Sequence, residues 1–326
     1  MYSANTDQFR FSDDLRRGFE GQRVLITGAG KDGGIGQGFA LTAGLNGAAS
    51  VGVHFHRSYE DGFELVERLQ AEGVNAFPLQ ADVTNLRDLW ATRSYVIEQM
   101  GGLPPSIVIC NSGLSERGYS FGRALRTIDD EPNAIRRARV RQHFIDNLEE
   151  SRSVLDTKID GFLASTHLWA GEAIYHEQTV QFVYVSSRQA IDPGPSVPGY
   201  AIANWAVLQL PNVLEANLGK ASSQVSCLSI LFPFIRTGMT HEYAENEKVW
   251  GRWQPRMLET HECAEAFAQL LSQPRSATNQ GMFELLVEPA NLDDPSGEAI
   301  RVTWKQVRLD VTEQELAWSE TSPRLF

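Results

Sequence analysis

Short apolar runs alternate with longer segments of helical periodicity along most of the chain. The runs cover 23–27, 49–55, 76–80, 106–111, 180–186, 224–230 and 282–287. Their nearly continuous apolar character is that of strands buried on both faces of a parallel sheet. The segments 36–46, 59–72, 86–100, 200–218 and 260–271 carry apolar residues at helical spacing. This alternation predicts an α/β fold, a doubly wound and mostly parallel sheet of about seven strands with helices on both faces. In such a sheet ligands bind beyond the carboxyl ends of the strands.

Three stretches fall outside the rhythm. A polar leader occupies 1–20. Residues 115–152 form an insert carrying Arg117, Arg123, Arg126, Arg136, Arg137, Arg139, Arg141 and Arg152. With Asp129, Asp130, Glu131, Glu149 and Glu150 close by, the insert reads as the solvated face of a helix. Beyond 287 comes a C-terminal extension, 288–326, in which Ile300, Val302 and Trp304 alternate with polar residues as a further strand would. The alternating body, 21–287, reads as one domain.

Composition narrows the class. Apolar residues make up 42% of the 326 and charged residues 21%, a soluble globular balance. The formal net charge of −12 argues against a general nucleic-acid binder, which needs a basic face. The three cysteines, Cys110, Cys227 and Cys263, have no metal-type spacing and suit free thiols in a reducing compartment. No apolar run reaches the ~18 residues of a membrane span, and no apolar stretch marks a signal peptide at the N-terminus. A cytoplasmic protein, with no metal centre, is expected.

Candidate chemistry begins at VLITGAGKDGGIGQGFA, residues 24–40, which reads as strand, glycine-rich turn and helix. Glycines let backbone approach a pyrophosphate, and a helix N-terminus offers free N–H groups to the anion. The second strand ends His54-Phe55-His56-Arg57-Ser58 without a carboxylate to bind a ribose 2′-OH. Arg57 at that end, with Lys31 in the glycine turn, suits a 2′-phosphate, so NADP(H) is the expected cofactor.

These residues resemble the short-chain dehydrogenase/reductase family, whose TGxxxGxG fingerprint is matched by Thr27, Gly28, Gly34 and Gly36 with two extra residues in the turn. The longer turn is similar to that of ketoreductase domains in fungal-type fatty acid synthases. The resemblance implies cofactor contacts at Gly28, Gly30, Lys31, Gly34, Ile35 and Gly36. It implies adenine contacts at Asp82 and Val83, and further contacts at Asn111 and Gly113 of the Asn111-Ser112-Gly113 run. Beside the nicotinamide it implies Pro233, Ile235 and Thr237, with Phe234 where the family has glycine. The match spans roughly 21–287.

Ser187 and Tyr200 stand thirteen positions apart, the family's catalytic spacing. Carbonyl reduction needs a hydride at carbon and a proton at oxygen. The resemblance assigns the proton to Tyr200 and orientation of the oxygen to Ser187. Most members place a lysine four residues after the tyrosine, where this chain has Asn204. Most place an asparagine three residues before a glycine in the preceding helix, where this chain has Lys158 before Gly161. The paired exchange resembles the ketoreductase domains of polyketide synthases and animal-type fatty acid synthases, and implies that Lys158 reaches the phenol from a neighbouring helix.

The segment 238–257, with Tyr243, Trp250 and Trp253, matches the family's substrate lid. The expected activity is NADPH-dependent reduction of a ketone to a secondary alcohol. The expected substrate is a 3-ketoacyl thioester, brought by an acyl carrier protein, or a secondary-metabolite ketone. A small free ketone or alcohol and a non-catalytic dinucleotide-binding partner stay open as alternatives, as does assembly into a homo-oligomer.

Overall fold

A computed structural model of the chain describes residues 5–116, 132–194, 197–290 and 299–308. Its strands are β1 (Arg23–Ile26), β2 (Ser50–Phe55), β3 (Ala76–Gln80), β4 (Ile107–Cys110), β5 (Val180–Ser187), β6 (Val225–Phe232), β7 (Met282–Pro289) and β8 (Ile300–Val307). The longer helices are α1 (Ile35–Leu45), α2 (Tyr59–Ala71), α3 (Leu86–Gln99), α4 (Asn133–Leu155), α5 (Gly161–Tyr175), α6 (Pro198–Val207), α7 (Leu210–Leu218) and α8 (Thr260–Leu271).

The strands form one sheet in the order β3-β2-β1-β4-β5-β6-β7-β8. All neighbours are parallel except β7 and β8. The chain builds outward from β1 to β3, then crosses back to β4 and builds the other way. Strand order therefore reverses between β1 and β4, which opens a crevice at their carboxyl ends. The doubly wound α/β expectation holds, with the extension supplying the antiparallel eighth strand.

Both sheet faces are covered. On one, Phe39 and Phe267 from α1 and α8 pack with centroids 4.3 Å apart, and Phe232 joins them from β6. Phe9 and Phe19 of the leader are fully buried in this layer. Trp304 of β8 also packs here and donates from Nε1 to the Ala266 carbonyl at 2.7 Å. On the other face Trp169, Phe162, Phe182 and Tyr184 form a second core under α5. Complete burial of aromatics of this size removes about 150–250 Å² each from water, so these layers dominate the fold's energetics.

One local departure has a simple cause. The helix expected over 200–218 is divided into α6 and α7. Pro211 lies in the first turn of α7, where its missing N–H costs nothing but from which α6 cannot be continued. The insert contains the long helix α4, on which Arg137, Arg139, Arg141 and Arg152 are exposed. Arg117, Arg123 and Arg126 lie outside the described residues.

Candidate active site

The glycine turn is held from three sides. Gly28 takes φ of +68°, and a Cβ there would sit 2.8 Å from Ser112 Cα. A Cβ on Gly36 would come within 2.5 Å of the Gly28 carbonyl oxygen. Both positions therefore need glycine, one for conformation and close approach, the other for helix against strand. The Thr27 hydroxyl accepts from the amides of Asn111 and Ser112 at 3.0 and 3.1 Å. The Asn111 side chain returns bonds to the carbonyls of Thr27 and Gly28.

The third support was not anticipated from the sequence. His54 is buried in β2; its Nδ1 accepts from the Gly28 amide at 3.2 Å and its Nε2 donates to the Ala81 carbonyl at 3.1 Å. Burial drives its imidazole down to about 4, so the ring is neutral and can accept from Gly28. The only sequence signal was a polar residue inside an apolar strand.

Helix α1 follows Gly34 as its N-cap, which offers no side chain to cap it. Its first-turn N–H groups are thus left for an anion, and Ile35 beside them lines the central cavity. That is the cradle a pyrophosphate fits. A Cβ on Gly30 would run into Phe55 at 2.5 Å, so this glycine serves packing on β2. Arg57 is exposed at the end of β2. Burial pushes the Asp82 carboxyl up, but the Thr84 amide and hydroxyl, with His56 and Arg57, hold it below its usual range. Val83 is buried against Gly161 at the start of α5. The Lys31 stem leans toward Gly238 at the start of the segment 238–257, its Cε 3.1 Å from where a Cβ would be.

Ser187 closes β5 and Tyr200 lies in the first turn of α6. Lys158 sits in a π-helical turn, Asp156–Asp160, between α4 and α5. Such a turn holds an extra residue and re-aims the side chains around it. Lys158 is 4% exposed, with Nζ 5.1 Å from the Phe162 ring centroid and 3.6 Å from where a Cβ on Gly113 would be. Burial brings its ammonium down to about 7, opposed by Cys110. The Tyr200 phenol is pushed up by burial and drawn part of the way back by hydrogen bonds from Ser187 and Asn204. Asn204 is fully buried, and its Nδ2 donates to the Tyr200 carbonyl at 2.8 Å.

Lys158, Ser187 and Tyr200 line one cavity of about 640 Å³ at the carboxyl ends of the strands. Asn111, Gly113, Pro233, Ile235 and Thr237 line it too. From the segment 238–257 come Tyr243 and Trp253, whereas Trp250 braces that segment by donating to the Tyr243 carbonyl. Phe234 stacks on Trp253 with centroids 5.3 Å apart, and the Arg252 guanidinium lies 4.0 Å from the same ring centroid. Gln254, 3% exposed, clamps this arrangement: it accepts from the Phe234 amide at 2.8 Å and donates to its carbonyl at 2.7 Å.

Known proteins share this frame. Residues 22–248 match the profile of the short chain dehydrogenases. A hydroxynaphthalene reductase of Aspergillus fumigatus is 36% identical over 96 residues, 29% of this chain and 33% of that protein. A versicolorin reductase of Emericella nidulans is 32% identical over 133 residues, 41% of this chain and 46% of that protein. The chain thus spans less than half the length of these curated relatives. A 3-oxoacyl-[acyl-carrier protein] reductase from Brucella melitensis aligns with TM-score 0.64 and 22% identity, over 87% of this chain and 96% of the other. A gluconate 5-dehydrogenase from Burkholderia cenocepacia, solved with NADP and tartrate, aligns with TM-score 0.63 and 18% identity, over 86% and 96%. At such identities the solved structures speak for the fold alone. The profile is what decides: it runs from β1 through the glycine turn, Ser187 and Tyr200 into the segment 238–257, and the chain belongs to the short-chain dehydrogenase family.

Proposed function

We propose that this protein is an NADPH-dependent reductase that converts a ketone to a secondary alcohol, using Tyr200, Ser187, Lys158 and Asn204. The observation that carries the reading is burial of Lys158 in the wall of the cavity that Ser187 and Tyr200 also line. A lysine at helix surface has no reason to be there; a cation serving a phenol does. Lys158 thus stands in for the lysine most relatives carry one turn after the tyrosine, in the manner of the Lys/Asn-exchanged ketoreductases.

The glycine turn, the uncapped start of α1, Asn111, Gly113 and the stretch from Pro233 to Thr237 would hold the dinucleotide, with Asp82 and Val83 toward its adenine. Arg57 at the end of β2, where no carboxylate stands, favours the 2′-phosphate of NADPH. The reduced nicotinamide supplies the hydride. Ser187 donates to the carbonyl oxygen and orients it; Tyr200 gives that oxygen its proton; the Lys158 ammonium lowers the cost of the phenolate left behind. Asn204 holds the Tyr200 turn in register through the backbone carbonyl.

The substrate reading is a bulky secondary-metabolite ketone of aromatic type. Phe234, Tyr243 and Trp253 around the cavity support it, and so do the names of the versicolorin and hydroxynaphthalene reductases. The test is NADPH oxidation by the purified protein against polycyclic aromatic ketones, 3-ketoacyl thioesters with and without a carrier protein, and small free ketones. The same panel is run with Tyr200→Phe. Ketone-dependent oxidation lost in the variant supports the reading. Oxidation equal in both proteins, or cofactor binding with no turnover of any ketone, overturns it.

A further inference from the structure

One buried carboxylate near the cavity has no part in the chemistry just described. Glu116 lies in the segment that leaves β4 through Asn111 and Gly113, and it is 5% exposed. Its Oε1 accepts from the Ser151 hydroxyl at 2.5 Å and the Gly199 amide at 3.1 Å; its Oε2 accepts from the Tyr200 amide at 2.9 Å. Helix α6 starts Pro198-Gly199-Tyr200 after Val197, which provides no side-chain cap. The amides of Gly199 and Tyr200 are the first-turn donors that a helix leaves unsatisfied. Glu116 therefore caps the Tyr200 helix from a distant segment, and its negative charge sits at the favourable end of the helix dipole.

The third donor links a second element. Ser151 is on α4, seven residues and about two turns before Lys158. The fit is close: a Cβ on Gly199 would lie 2.7 Å from Glu116 Oε1 and 2.8 Å from Ser151 Cα. A buried carboxylate persists only when its charge is met by donors. Here the donors come from the helix that carries the phenol and the helix that leads to the ammonium.

We infer that Glu116 is a positioning residue that fixes the separation of Tyr200 and Lys158 by tying α6 to α4. This rests on the reading of Tyr200 as the proton donor. A misplacement of about 1 Å in a reacting group costs up to ~100-fold in rate. Glu116→Ala is therefore expected to lower kcat ~10- to 100-fold, with KM and the Kd for NADPH within ~3-fold of wild type. Glu116→Gln, which must turn an N–H toward one of its donors, is expected to fall between Glu116→Ala and wild type. It also serves as the probe should the alanine variant fail to fold.

Because Glu116 acts through the phenol, its loss should be non-additive with loss of that phenol. Glu116→Gln combined with Tyr200→Phe is expected to match Tyr200→Phe alone. A general weakening of the fold would instead lower the residual activity further. Wild-type kcat in Glu116→Gln, or full additivity in the double variant, overturns this inference while leaving the proposed function standing. Wild-type activity in Tyr200→Phe overturns the proposed function and this inference with it.

Discussion

Asn204 spends its side-chain amide on the Tyr200 carbonyl, 2.8 Å away within the same helical turn, and is wholly buried. Its side chain thus braces the backbone one turn after Tyr200. Lys158, to which the proposed function gives the charge beside the phenol, stands in the π-turn between α4 and α5.

The two positions should be exchangeable in part. Lys158→Asn alone is expected to reduce kcat for ketone reduction about 100-fold, within the ~10²–10⁴ range for acid–base machinery. Adding Asn204→Lys, which returns a cation to one turn after the phenol, should recover some of that loss. Steady-state kinetics of the three proteins check it; a double variant no better than Lys158→Asn would count against the exchange.

Burial of Lys158 should also show in stability. An unfolded lysine titrates near 10.4 and the folded one at about 7. Between those values the unfolded chain holds more protons, so stability rises with pH through the window and the penalty is complete below about 7. Lys158→Met should therefore be more stable than wild type at pH ~7, with the gap narrowing toward pH ~10. Urea midpoints of both proteins across that range measure it.

His54 predicts acid sensitivity in the same way. Its folded value of about 4 lies below the ordinary ~6.5, so as pH falls through that interval the unfolded chain takes up a proton that the folded chain refuses. Stability is lost as pH drops toward 4, by up to about 3 kcal/mol from this group. His54→Gln should flatten that part of the profile. His54→Leu should also weaken dinucleotide binding, because the Gly28 amide loses its acceptor. Unfolding and binding at pH ~6.5 and ~4.5 are the measurements.

Phe234 and Trp253 stack within the lining of the cavity. Trp253→Ala should raise KM for polycyclic aromatic ketones ~10-fold and leave small ketones within ~2-fold, as loss of a stacked ring costs about 0.5–1.5 kcal/mol beyond its buried area. Equal changes for both substrate classes would remove the aromatic-substrate argument.

Arg57→Glu should reverse cofactor preference. Losing a charge-assisted phosphate contact and gaining a ribose acceptor should cut kcat/KM with NADPH at least ~10-fold and leave NADH unchanged or improved. An unaltered NADPH/NADH ratio would show that the 2′ position is read elsewhere.

Much of the fold was legible along the chain because burial on two sheet faces leaves a one-dimensional trace: continuous apolar strands, periodic helices, and the 300–304 alternation that became β8. Glycine positions also carried a local message, since Gly28 needs positive φ and Gly36 needs an absent Cβ whatever lies farther off.

The amino-acid order by itself determined the strand–helix succession, the glycine turn, the Ser187–Tyr200 spacing and the presence of Lys158 before Gly161. Tertiary structure alone decided that Lys158 is buried beside the Ser187–Tyr200 cavity, that Trp253 lines this cavity while Trp250 braces the segment 238–257, and that His54, Glu116 and Gln254 serve as struts. The reason is physical. A pattern of apolar and polar residues fixes which side of an element is hidden, but a buried polar group reveals its purpose only through its partner, and His54, Glu116 and Gln254 find theirs 20 to 84 residues away.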